Sequence, residues 1–364
     1  MATLTVIGEP FPDIEARVQA SAARCLTDAV AVAAPRGCSA RLILARDAVF
    51  PQLESPKARV ESVPLNTGAL PILWRAGATA RPLDGEFVHA VTPLVPLRNR
   101  REDDGSQTSV MVPHTLAWHA PELMGATHAK AFRSFVKRAA KLADVLLAPS
   151  HAVATDLEEL TGLEVRVLQL APPREFLPAE DSAGTRAELG LPSRYVATTA
   201  LPGDHGRLGW LLDAMQNDAS LPPLVVLHLG TDPLPPVREA LAERVHVVQV
   251  EELHEIGAVI SGALLLALPQ VMIGAGFEVL GALAAAVPVL HADCAATAEL
   301  AIDGGVRVEN EAEFAAALAR LTEGDSEGGA SAELRQLRAF AEDRSRSFSW
   351  QVTAWQLWEL HANL

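Results

Sequence analysis

Residues 263–300, ALLLALPQVMIGAGFEVLGALAAAVPVLHADCAATAEL, constrain the fold more than any other stretch. Residues 263–268 form an apolar run with the length of a buried parallel strand, ended by Pro269. Gly274, Ala275 and Gly276 make a glycine loop, residues 277–286 read as a small-residue helix, and a second buried strand starts at 288. Strand, loop, helix, strand is a βαβ unit, whose loop lies where open α/β sheets bind ligands. Glycines there let backbone N–H groups approach a phosphate or sugar, and the helix N-terminus favours negative charge.

The same alternation of strand-like and helical segments recurs along the chain. Strand-like runs fall at residues 3–8, 40–44, 87–92, 109–113, 145–148, 165–170, 195–201, 224–230 and 245–250. This rhythm predicts doubly wound parallel sheets. The 364 residues suit two domains, each with its own core. Residues 9–34 carry no glycine and read as one helix, which disfavours a phosphate-cradling turn after the first strand. Pro, Gly and charge cluster at 171–192, the expected hinge.

A net charge of −15 argues against nucleic acid as a partner, because phosphate contacts need excess Lys and Arg. Cys25, Cys38 and Cys294 are odd in number and widely spaced, which suggests reduced thiols and a cytoplasmic protein. The N-terminus does not read as a signal peptide, and no apolar run is long enough to span a bilayer. Lys130, Arg133, Lys137, Arg138 and Lys141 fall at helical spacing opposite Phe132, Phe135, Val136 and Ala139. This basic amphipathic helix, residues 128–144, is either an ordinary solvated face or a peripheral contact to an anionic membrane at the inner face. The polar loop 95–108 reads as solvated, with an acceptor-binding role as the minor alternative. His114 and His119 are spaced like a metal pair but lie in a loop without an acidic cluster, so no metal is expected. No G-x-G-x-x-G follows the first strand, which disfavours a dinucleotide-dependent redox enzyme.

Residues 269–289 resemble the donor-binding segment of the family-4 (group 1) GT-B glycosyltransferases, P-S-x-x-E-G-F-G-L-P-x-L-E-A-M-A-x-G-x-P-V. Pro269, Gly274, Gly276, Leu280, Ala282, Ala284, Pro288 and Val289 match, and Glu299 matches the downstream glutamate. The family's paired glutamates, which hold the donor sugar and the ribose, fall on Ile273 and Gly281. In the first half, His114, Leu116, Pro121, Glu122, Ala143, Asp144, Ser150, Asp156 and Leu157 match a second family pattern. The resemblance implies that His114 touches the donor sugar or the reacting centre; a histidine merely hydrogen-bonded in a strand-to-loop corner is the equal alternative. The family's diphosphate-binding Arg and Lys fall on His205 and Gly206, with Arg207 one residue beyond.

The resemblance thus implies a GT-B fold: two Rossmann-like doubly wound domains with an interdomain cleft. Residues 1–172 are the acceptor-side domain, 173–345 the nucleotide-sugar-side domain, and 346–364 a helix crossing back. The implied activity is retaining, metal-independent transfer of a sugar from a UDP- or GDP-type nucleotide sugar to a glycan or small-molecule acceptor, without a cofactor. His114 is the catalytic candidate, and His205, Arg207, Gly274, Gly276, Glu278 and Glu299 are the donor-binding candidates. Glu278 has an alternative reading as a helix-dipole partner. Because both glutamates are replaced, the alternative is an inactive GT-B subunit that partners an active glycosyltransferase.

Overall fold

The computed structural model describes residues 2–49, 51–78, 87–97, 106–201, 203–230, 234–272, 274–324 and 330–364. The chain divides into two units: residues 1–171 with 349–364, and residues 172–348. Ile273 and most of the polar loop 95–108 fall outside the described residues.

Unit 1 runs β1 (Thr3–Ile7), α1 (Ala16–Ala33), β2 (Ser39–Leu44), β3 (Ala58–Ser62), α2 (Leu70–Arg75), β4 (Phe87–Ala90), β5 (Gln107–Met111), α3 (Leu116–His119), α4 (Ala126–Leu142), β6 (Val145–Ala148), α5 (His151–Thr161) and β7 (Val165–Val167). Its seven-stranded sheet has the order β3-β2-β1-β4-β5-β6-β7, with every pairing parallel. The chain winds outward from β1 in one direction and then in the other, so the topological switch point lies between β1 and β4.

The helix expected at 9–34 begins only at Ala16. Pro10 and Pro12 lack the N–H that a helix interior needs and bias their predecessors toward extended backbone. Asp13 Oδ1 then accepts from the Glu15 N–H at 3.0 Å, so residues 9–15 form a loop that leads into the helix. Downstream, α5 starts at Ser150, whose hydroxyl accepts from the Val153 N–H, and stops at the left-handed Gly162, φ 71°.

Unit 2 runs α6 (Ser182–Glu188), β8 (Val196–Thr199), α7 (Leu208–Asn217), β9 (Leu224–His228), β10 (Val245–Gln249), α8 (His254–Gly262), β11 (Leu266–Leu268), α9 (Phe277–Ala284), β12 (Val289–His291), α10 (Ala295–Ala301), β13 (Gly305–Arg307), α11 (Glu311–Thr322) and α12 (Ala332–Ser345). The six-stranded sheet has the order β10-β9-β8-β11-β12-β13 and is again parallel, with its switch point between β8 and β11. On one face Leu211, Leu212 and Met215 of α7 and Phe314 and Leu318 of α11 pack on Val196, Val226 and Leu290. β9 (LVVLH) is buried at every position, as a parallel strand covered on both faces should be, whereas the edge strands β10 and β13 are partly exposed.

The two units divide at 171/172, the start of the segment expected as a hinge, and the rest of that segment is folded into unit 2. Phe176 is 1% exposed, and the Arg186 guanidinium donates to the Ala258 carbonyl at 2.9 Å, fixing α6 on α8. Gly257 of α8 is required there, because a Cβ would meet the backbone around Phe176.

The last helix, α13 (Trp350–Asn363), belongs to unit 1 and packs on α1. Its polar atoms explain the docking. Thr353 Oγ1 donates to the Gln169 carbonyl at 2.7 Å, and Trp358 Nε1 donates to the Val30 carbonyl at 3.0 Å. His361 meets Ser109 Oγ at 3.0 Å, and Ser109 Oγ meets His89 at 2.9 Å, a fully buried chain across α13, β5 and β4. Burial is the main cause that lowers both imidazoles, His89 to about 3 and His361 to about 4, so both are neutral at pH 7. Of the terminal tryptophans, Trp358 is a packing residue and Trp355 is 55% exposed.

Candidate functional site

In unit 1 the carboxyl ends of β1, β4 and β5 converge near the switch point. The loop after β1 is pinned there by several interactions. The Glu9 carboxylate accepts from the Ala45 N–H, and Thr92 Oγ1 donates to the Glu9 carbonyl at 3.1 Å. Phe11 meets the Phe132 ring edge-on at 4.9 Å. Burial raises the Glu9 carboxyl above its ordinary value, partly offset by the Ala45 hydrogen bond.

His114 follows β5 and is paired with that loop. Its Nε2 lies 3.1 Å from Asp13 Oδ2, with side-chain exposures of 1% and 3%. The imidazole stacks on Phe132 at 4.9 Å and 15°. Burial acts to lower its pKa, but the Asp13 hydrogen bond and charge, helped by Glu15, outweigh it and the value is raised above 6.5. Among the described residues His114 Nδ1 has no hydrogen-bond partner. The structure therefore joins His114 to Asp13 through Nε2. His119 is bound elsewhere: its Nε2 meets the Asp156 carboxylate at 2.8 and 2.9 Å. No group of three or more metal-ligating side chains occurs among the described residues.

On α4 two of the five cations are used within the protein. Arg133 donates to the Ala117 carbonyl at 2.5 Å, and Arg138 to that of Leu97. Lys130, Lys137 and Lys141 are exposed. Beside them a groove is lined by Trp118, Leu160 and Leu163.

The remaining candidates lie in unit 2. The loop after β8 carries His205 and Arg207, and the loop after β11 carries Gly274 and Gly276. The two are joined by the Val271 N–H, which donates to the His205 carbonyl at 3.2 Å. Gly276 has φ 76° and immediately precedes α9, so a left-handed turn delivers the first amides of that helix to the sheet edge. Gly274, Ala275 and Gly276 are buried. Glu278 lies in the first turn of α9, half-buried, where its charge suits the helix dipole.

Gly206 stands where the family has a cation, and a Cβ at that position would run into the Leu201 carbonyl. Arg207 takes a left-handed φ of 46° before α7, and its guanidinium lies 4.5 Å over the Trp210 ring. Gly281 is closed by a neighbour: a Cβ there would lie 3.1 Å from Phe176 Cβ and 3.2 Å from the Phe176 carbonyl oxygen. A side chain at 281 would thus require Phe176 to give way by a few tenths of an ångström. Glu299 sits in α10, half-buried; its carbonyl accepts from Arg344 at 3.0 Å. Burial lowers the Arg344 pKa, and the Glu299 charge acts against that.

Sequence reasoning missed Asp13, Glu9, Thr199, Gln270 and Phe176. Gln270 falls within the 269–289 pattern, at its serine position, and the others acquire their places through the folding of the two units.

Residues 195–324, all in unit 2, match the family model "Glycosyl transferases group 1". No curated protein sequence matches the chain. Among solved structures, sucrose-phosphate synthase of Thermosynechococcus elongatus is similar over 100% of this chain and 99% of its own, with a TM-score of 0.70 and 17% identity. HepE of Anabaena in complex with UDP-glucose is similar over 100% of both chains, with a TM-score of 0.66 and 17% identity. WaaG, a glycosyltransferase of lipopolysaccharide biosynthesis, is similar over 94% of both chains, with a TM-score of 0.56 and 16% identity. By fold, then, this chain is a GT-B protein of two Rossmann-like units. The stretch similar to group 1 glycosyl transferases lies in its second unit.

Proposed function

We propose that the protein transfers a sugar from a nucleoside-diphosphate sugar, of UDP or GDP type, to a glycan or small-molecule acceptor. The observation that carries this reading is the left-handed turn at Gly276, which presents the amides of α9 at the switch point of unit 2, inside the segment matched to group 1 glycosyl transferases. HepE, a neighbour in fold, has been solved in complex with UDP-glucose, which supports a nucleoside-diphosphate sugar as the donor class.

In this reading residues 172–348 take the nucleotide sugar and residues 1–171 with the last helix take the acceptor. The amides at Gly274 and Gly276 face the diphosphate, supported by His205 and Arg207. Glu278 and Glu299 flank the donor, and His114, oriented by Asp13, serves the reacting sugar. Electrostatic support of the departing diphosphate is then the main catalytic contribution. Transfer with retention of configuration and without a metal follows from the family resemblance. The exposed Lys130, Lys137 and Lys141 beside an apolar groove suit a peripheral contact with anionic headgroups. No helix among the described residues is long and apolar enough to cross a membrane.

A second reading is an inactive subunit that supports a partner glycosyltransferase. It is favoured by the close packing of Phe176 on Gly281 and by the turn that excludes a side chain at 206.

The test is release of nucleoside diphosphate from UDP- and GDP-sugars incubated with the protein and a panel of glycans and small hydroxylated acceptors. Proton NMR of the product reads the anomeric configuration, and chelator reads metal dependence. Acceptor-dependent release supports transfer. No release from any donor, with a glycosyltransferase co-purifying from the native source, supports the second reading and refutes the first.

A further inference from the structure

Two polar side chains at the carboxyl edge of the unit 2 sheet are buried without a bond. Thr199 ends β8 and is 5% exposed, and Gln270 lies two residues beyond β11 and is 2% exposed. Among the described residues Thr199 Oγ1 and Gln270 Oε1 have no hydrogen-bond partner. Buried polar atoms are bonded in roughly nine cases out of ten, so each orphan calls for an explanation. These two share a location: β8 and β11 are neighbours, and the switch point of the sheet lies between them. The loops that follow the two strands are joined through Val271 and His205.

The chemistry of the orphaned atoms narrows what completes them. An amide oxygen only accepts, so Gln270 Oε1 requires a hydroxyl or an N–H. The Thr199 hydroxyl can donate to an oxyanion. One ligand that offers hydroxyl donors and anionic acceptors together is a nucleoside-diphosphate sugar. The two glutamates of the family pattern are absent from the sequence here: residue 281 is glycine and residue 273 is isoleucine.

We propose that Gln270 Oε1 accepts a hydrogen bond from a sugar hydroxyl of the nucleotide sugar, and that Thr199 Oγ1 donates to its diphosphate. This inference rests on the reading of unit 2 as a donor-binding unit and adds the neutral side chains that hold the donor there.

The test is calorimetric titration of the full-length wild type and of Gln270→Leu, Gln270→Glu, Thr199→Val and Thr199→Ser with UDP, GDP and their glucose and mannose conjugates, with a thermal melt of each. Gln270→Leu and Thr199→Val are expected to weaken the bound nucleotide about tenfold, the size of one lost buried hydrogen bond, while Gln270→Glu and Thr199→Ser keep most of it. Loss for nucleoside diphosphate and conjugate alike places the Gln270 partner on the ribose; loss for the conjugate alone places it on the transferred sugar. Both apolar variants are expected to melt no lower than wild type, since an orphaned atom supports nothing in the free protein. If wild type binds nucleotide and the apolar variants bind within twofold of it, the inference is wrong and the donor-binding reading stands. If the apolar variants lose binding and melt well below wild type, their role is structural and the inference is again wrong. If wild type binds no nucleotide, the inference and the reading beneath it both fall.

Discussion

Replacing Asp13 separates the energetic role of the Asp13–His114 pair from any role in chemistry. The two side chains are 3% and 1% exposed and 3.1 Å apart, so neither is screened by solvent. Removing one partner of such a pair typically costs about 3–5 kcal/mol, because the other charge is left buried and uncompensated. Asp13→Ala should therefore lower the midpoint of unit 1 by roughly 10 °C, at about 2–4 °C per kcal/mol for a unit of this size. Asp13→Asn keeps an acceptor but removes the charge and should cost less. The pH dependence has a definite sign. The pKa of His114 is raised in the folded state, chiefly by Asp13 against the opposing effect of burial. The pair's contribution is thus fully present below about 6.5, the unfolded value, and is lost as pH rises through the folded value. The stability gap between wild type and Asp13→Asn should be widest near pH 6 and narrow on the alkaline side. Urea unfolding followed by tryptophan fluorescence reads it, because Trp74, Trp118, Trp350, Trp355 and Trp358 lie in unit 1 and Trp210 in unit 2. A gap that is constant with pH, or that widens as pH rises, would falsify this account of the pair.

Other perturbations have equally definite outcomes. Gly281→Glu restores the carboxylate of the family pattern but runs into Phe176 at 3.1–3.3 Å, and overpacking of this kind costs about 1–3 kcal/mol. Denaturation and nucleotide titration should show lower stability and no gain in affinity; tighter binding at unchanged stability would refute the steric argument. Acid should loosen α13. His89 and His361 are lowered to about 3 and 4, so below 6.5 the unfolded chain binds protons that the folded chain refuses. At pH 5 each imidazole then costs about 2 kcal/mol relative to neutral pH. His361→Phe should flatten the stability profile between pH 7 and 5 by about that amount, and an unchanged slope would remove His361 from the effect. Trp358→Phe should lose about 1 kcal/mol with the bond to the Val30 carbonyl, and a melt identical to wild type would contradict that anchor.

Much of the architecture was legible because buried parallel strands are local apolar runs. Leu224–His228 is buried at every position, and Val145–Ala148 likewise. Edge strand Ala58–Ser62 was not legible, since none of its residues is fully buried and its sequence ARVES has no apolar run. Residues 9–15 were misread as helix because apolar spacing was weighed above the two prolines. The division between the units falls at 171/172, the start of the Pro- and Gly-rich stretch 171–192; the remaining Pro and Gly serve folded turns, and Phe176 finds its contacts only in the folded unit.

The candidate site divides along the same line. Gly274 and Gly276 stand out because the turn and the helix they serve are adjacent in sequence. Asp13 and His114 are 101 residues apart and meet only because β1 and β5 lie in one sheet. Thr199 and Gln270 likewise depend on β8 and β11 being neighbours across the switch point. Gly281 reads in sequence as a lost carboxylate, and only the folded unit shows how closely Phe176 packs on it.

The central claim is that the turn at Gly276 holds a nucleoside diphosphate. Calorimetric titration of the folded, monodisperse wild type with UDP, GDP and their sugars tests it most directly, with Gly276→Val as the control that the left-handed φ of 76° does not tolerate. The account predicts micromolar binding of one nucleotide class by wild type and its loss in the variant. Absence of heat for every nucleotide, or binding unaffected by Gly276→Val, would contradict it.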